Sequence, residues 1–186
     1  MENDDVVNSC IFKSNLFLND VLNEKYDVDL IRSLLMCYGK LELYKKQIDN
    51  MVLVEVSKVI TSNEKIVAII IGIFQDILER YKKWVLLYEE MVIKNNYEHG
   101  DMAEFPVFIV DNRDMLELLC SGLKKVYNVD NNDNFVNLFD EICYYDDKLM
   151  KIYPTLVDLF ISSETLVDAA PELYDTYEWR KKMRED

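Results

Sequence analysis

Few residues in this chain are of a type and spacing that could do chemistry. A catalytic or metal-ligating histidine would have to be His99, the only one in 186 residues. It sits in a stretch with loop character and has no Ser or Cys partner in local sequence, so it reads as a solvated loop residue. Cys10, Cys37, Cys120 and Cys143 include no C-x-x-C pair. That spacing, with one histidine, excludes a Cys/His zinc site and makes the thiols buried, reduced core residues of a reducing compartment. Carboxylate pairs occur at Glu89-Glu90 and Asp146-Asp147. Adjacent acids on an acidic helix form a solvated face rather than an acid–base pair. The G-x-S-x-G elbow, the P-loop and the dinucleotide fingerprint are missing. Small-molecule catalysis is therefore a poor reading, and no cofactor is expected.

Composition narrows the class further. Thirty-five acidic residues against 21 basic ones leave a net charge of −14, which repels nucleic acid and anionic lipid and favours a protein partner with a basic patch. Half of the chain is hydrophobic, enough to fold one domain of this length around a real core. The longest apolar run, Ile66 to Phe74, is nine residues, against the ~20 a membrane span needs. Met1 to Asp5 is acidic where a signal peptide needs basic residues. A soluble, cytoplasmic protein is expected. Four glycines and three prolines allow few turns, which favours long helices over many short strands.

The elements follow from hydrophobic spacing. Thr61 with Glu64 has the form of a capping box. From there Ile66, Ile69, Ile70, Ile73, Ile77, Tyr81, Trp84, Leu87, Tyr88 and Met91 mark one face of a single helix to Tyr97, ~45 Å long. Gly72 lies inside that helix and needs a reason, such as close approach of another backbone. Upstream, Val6 to Leu22 reads as a short helix or a pair of turns. Asp27 or Asp29 caps a second long helix whose apolar face runs from Leu30 to Val59 without interruption. The tight connection Ile60-Thr61-Ser62-Asn63 then makes the two long helices antiparallel neighbours. Asn95 to Asp111 reads as the longest irregular segment. Helices follow from Asp111 or Asn112 to Tyr127 and from Phe135 to Tyr153, with a break at Pro154. Thr155 to Ile161 and Glu164 to Met183 are helical, and the chain closes on its only locally basic stretch, Arg180 to Arg184. The expected fold is all-α: an elongated helical bundle, one domain with its core over about residues 27–184.

On these residues the chain resembles the Dbl-homology domains, the exchange factors of Rho-family GTPases. Val67 to Trp84 is similar, without a gap, to that family's helix of the form I-x-x-I-F-G-N-I, with Gly72 in the glycine position. Tyr44, Ile48 and Val52 lie where the family's first helix has a Tyr followed by Leu and Val. Asn134 to Phe139 resembles its F-x-x-F-L segment, and Lys148 to Leu159 its block around R-Y-P-L-L-L. The resemblance implies guanine-nucleotide exchange on a Rho-family small GTPase: the exchange factor binds the nucleotide-free form more tightly and so remodels the switches. It implies that Glu42 engages switch I, one residue along from the family's acidic position, where Leu41 stands. It also implies that Lys148 and Lys151 meet acidic groups near switch II, in place of the family's Gln-Arg pair. The alternative is a non-catalytic helical protein-binding module, either a virus-encoded decoy of the Bcl-2-like kind or a subunit of a helical assembly.

Overall fold

The computed structural model describes residues 2–94, 99–127, 129 and 132–161. All regular structure among them is helical, in six helices: α1 Glu2–Leu22, α2 Val28–Leu43, α3 Asn50–Ser62, α4 Glu64–Lys94, α5 His99–Val126 and α6 Asp133–Ile161. The helices expected beyond Ile161, with the basic stretch at Arg180, lie outside the described residues.

The uninterrupted helix expected from Leu30 to Val59 is two helices, α2 and α3. The stop is made by backbone geometry rather than by a glycine. Lys45 takes the left-handed conformation at φ 52°. Its N–H donates to the Glu42 carbonyl at 3.0 Å, and the N–H of Lys46 donates to the Leu41 carbonyl at 2.8 Å. These are the two bonds of a Schellman motif, which satisfies carbonyls left open at a helix end. The same pair closes α1, where Glu24 is left-handed at φ 55° and Lys25 bonds to Asp20 at 2.8 Å. The chain restarts at Asp49, whose carboxylate accepts from the Met51 N–H at 2.8 Å. One predicted cap is found, since Asp27 accepts from Asp29 and Leu30 at the head of α2. The capping box at Thr61 is not. Thr61 belongs to α3, where its hydroxyl donates back to Ser57 at 2.7 Å, and Asn63 caps α4 by accepting from Lys65 at 3.1 Å and Ile66 at 3.4 Å. A β-branched Thr satisfied within its own helix leaves the cap to the carboxamide that follows.

Two expectations are corrected, and residues 95–98 of the expected irregular segment lie outside the described residues. The segment from His99 to Asp111 is the first part of α5, and α6 continues through Pro154 to Ile161. In each case the helix runs past a proline, which deletes one i to i−4 bond without forbidding the residues after it.

The chain packs as two compact units. The first comprises the residues up to Leu78 together with Asp111–Glu141. The second comprises Glu79–Val110 and the described residues from Ile142 onward. In the first unit, Phe17, Leu34, Leu35, Tyr38, Leu41, Val56, Ile60, Ile66, Ile70, Ile73, Phe74, Leu119, Leu123 and Phe135 are buried. Phe74 meets Phe139 edge-on at 5.0 Å and Tyr127 meets Phe135 at 5.5 Å, geometries that aromatic quadrupoles favour. In the second unit Tyr81, Val85, Tyr88, Ile142 and Leu149 are buried, with Trp84 stacked on Tyr88 at 5.3 Å.

A polar seam joins α1 to α2 inside the first unit. The Ser14 hydroxyl gives its one proton to the Cys10 carbonyl at 2.7 Å, so the Tyr38 hydroxyl 2.9 Å away must donate to Ser14 Oγ. Burial pushes the Cys10 thiol up to about 12, with the neighbouring Cys37 adding to it. Burial also pushes the Tyr38 phenol up to about 12. Cys10 and Cys37 are the buried thiols expected, whereas Cys120 is half-buried and Cys143 exposed.

Candidate protein-binding site

The site is set by a helix crossing in the first unit. A Cβ added to Gly39 of α2 would overlap the Leu118 backbone carbonyl, and one added to Gly122 of α5 would overlap the Leu35 carbonyl. The two backbones touch there, which only glycine permits. Gly72, the position at which the sequence calls for such an approach, has nothing within 4 Å of its added Cβ. The close contact expected of one glycine is made by two others.

From this crossing α2 runs on to Glu42 and Leu43, while α5 arrives through Asp114, Glu117 and Leu118. Between them lies an open groove of about 370 Å³, lined by these residues with Gly39 and Ser121. Its floor is apolar and three carboxylates stand around it. Glu42 is exposed, and its carboxylate accepts from the Lys125 ammonium at 2.6 Å. That hydrogen bond and then the lysine's charge hold the Glu42 carboxyl below the usual range, so it is ionised and oriented at neutral pH. No basic group pairs with Asp114 or Glu117 among the described residues. Leu43, in the groove lining, and Tyr44, at the α2 C-cap, are 60% and 51% accessible.

Lys148 and Lys151 belong to the second unit, one turn apart on α6. Lys148 contacts Glu89 at 3.4 Å and lies 5.2 Å from the Tyr144 ring centre. Its pKa is raised, first by the Tyr144 hydroxyl bond, with desolvation opposing and Glu89 adding. Lys151 is exposed. Glu42 and Lys148 are thus each engaged within their own unit. Tyr44, Ile48 and Val52, which the resemblance places along one helix, fall respectively at the α2 C-cap, in the connection and in α3. His99 is the first residue of α5 rather than a loop residue.

Asp114, Glu117 and the glycine pair were not singled out by the sequence. A signal for the glycines exists: each lies four residues after a leucine on an apolar helical face, where an uncompensated mid-helix glycine costs about 1 kcal/mol. The two acids read as ordinary surface charge until the groove beside them is seen. Among the described residues no three His, Cys, Asp or Glu side chains come together as metal ligands, and no helix is long and apolar enough to cross a membrane. Comparison of the chain with models of known families, with curated proteins and with solved structures finds no match.

Proposed function

We propose that this chain acts by binding another protein, through a surface that includes Glu42. The observation that carries the reading is the state of that side chain: ionised, solvent-facing and fixed by Lys125 at the edge of an apolar groove. A charge already oriented loses little side-chain entropy on meeting a cation, which is what preorganised recognition requires. The narrower form of the proposal takes its partner from the resemblance. The partner is a Rho-family small GTPase, with Glu42 toward switch I and Lys148 and Lys151 toward acidic groups near switch II. Binding the nucleotide-free state in preference would then accelerate nucleotide release.

A second reading, a binding module without exchange activity, is favoured by the division of α2 from α3. The Tyr44, Ile48 and Val52 positions do not share the continuous helix that the exchange-factor pattern uses. One experiment separates the two. Release of a fluorescent nucleotide from a panel of Rho-family GTPases is followed with the parent chain, with Glu42→Ala and with Lys148→Glu/Lys151→Glu. Acceleration by the parent that both variants lose supports exchange. Stable complex formation at the spontaneous release rate supports the module without exchange. Neither binding nor acceleration across the panel removes the GTPase as partner.

A further inference from the structure

We infer that the groove between α2 and α5 docks a basic, amphipathic segment of a partner protein, its apolar residues on the groove floor and its arginine or lysine residues against Asp114 and Glu117. This rests on the reading of the chain as a protein-binding module and does not depend on the partner being a GTPase.

The charge balance around the groove identifies the occupant. Of its three carboxylates, Glu42 is matched by Lys125. Asp114 and Glu117 stand one turn apart on the exposed side of α5, where like charges at this spacing repel and cost a few tenths of a kcal/mol. Neither makes an ion pair with a basic side chain among the described residues, and the net charge of −14 adds to the negative potential at the groove mouth. Two carboxylates without an ion-pair partner among the described residues, beside an apolar recess, disfavour phosphate, nucleic acid and acidic peptide alike.

The recess itself selects against a simple ion. Its apolar lining is Leu43, Leu118 and the bare backbone of Gly39, and its volume is about 370 Å³, at the small end of ligand sites. That is room for a pair of large apolar side chains rather than a folded domain. Leu43 is 60% accessible and keeps apolar surface open to solvent in the groove lining, which suits a segment that carries hydrophobic and cationic residues together. Arginine fits best, since its planar fork can bridge two neighbouring carboxylates.

The test titrates the full chain with a fluorescein-labelled, helix-forming peptide of leucine and arginine, followed by anisotropy at low and high salt. A leucine–glutamate peptide of the same pattern is the charge control. Three variants are compared: Asp114→Asn/Glu117→Gln, which removes charge and keeps shape; Ser121→Trp, which fills the groove; and Glu64→Gln/Asp76→Asn, which removes the same charge from exposed positions elsewhere in the unit. Unchanged circular dichroism certifies that each is folded. Docking in the groove requires on the order of a tenfold loss of affinity in the first variant, which is the equivalent of about 1.4 kcal/mol. It also requires loss in the second that persists at high salt, and no change in the third. Equal losses in the first and third, or equal binding of the glutamate peptide, would overturn the proposal in favour of diffuse attraction. The two hypotheses fail separately: peptide binding without any GTPase response removes the GTPase, whereas Glu42-dependent exchange without peptide binding removes the groove.

Discussion

Replacing glycine by alanine at three helical positions should change stability with opposite signs. At Gly72 the added Cβ meets nothing within 4 Å, so the substitution only removes the backbone-entropy penalty of a mid-helix glycine and stabilises by about 0.5 to 1 kcal/mol. At Gly39 and Gly122 the same propensity gain is outweighed. The atoms in the way are the backbone carbonyls of Leu118 and Leu35, which no rotamer change can move. To admit the methyl group, α2 and α5 must separate. A gap of ~0.5–1 Å forfeits a quarter to a half of each dispersion contact it opens, here around Leu35, Leu119 and Leu123, all at 0% exposure. Overpacking of this kind costs about 1 to 3 kcal/mol or more. A net loss of about 2 kcal/mol lowers Tm by roughly 4–8 °C in a chain of this size, whereas Gly72→Ala raises it by roughly 1–4 °C. Urea unfolding followed by circular dichroism at constant m-value gives the three differences directly. Stability at parental level in both Gly39→Ala and Gly122→Ala would refute the touching backbones, and with them the geometry that forms the groove.

Other outcomes follow from the caps and titrating groups. Lys45→Gly should stabilise by about 1 kcal/mol, because it relieves a left-handed residue without touching the bonds of the Schellman motif; a loss in urea midpoint would show that the lysine side chain matters more than its φ. Asn63→Ala should cost about 1 kcal/mol through the α4 cap, and Thr61→Ala much less; the reverse order would restore the capping box read from the sequence. The Cys10 and Tyr38 protons are held more tightly in the folded state, both to about 12. Stability should therefore fall as pH rises above their unfolded values, starting near the ordinary thiol range, with a slope of up to about 1.4 kcal/mol per pH unit for each group titrating. Tyr38→Phe should flatten the upper part of that limb, and an unchanged alkaline slope would contradict the buried seam. The Glu42 carboxyl is depressed, so the Glu42–Lys125 pair contributes above the ordinary carboxylate range and is lost as pH falls through the folded value. A Glu42→Gln/Lys125→Met double-mutant cycle at neutral and acid pH should show coupling only at the former.

What the amino-acid sequence determined by itself is the class of structure and the face of each helix. Few turn-forming residues and a sustained helical period leave an all-helical chain. The isoleucines at 66, 70, 73 and 77 had to be buried together, because their spacing places them on one stripe. Asp27 was legible as a cap because a short carboxylate side chain satisfies the first N–H groups of a helix wherever one begins. The positions where helices stop were less legible. Lys45 and Glu24 end helices in a conformation that their side chains do not favour, and Pro106 and Pro154 fail to end helices that other residues continue. In each case the residue's own preference, worth one or a few kcal/mol, did not decide where the helix ended. The groove needed tertiary structure altogether. Gly39 and Gly122 are 83 positions apart, and nothing in either neighbourhood says that their backbones meet. Only when they do are Glu42, Asp114 and Glu117 gathered around one apolar recess, because a charge acquires a meaning for recognition from what folding places beside it.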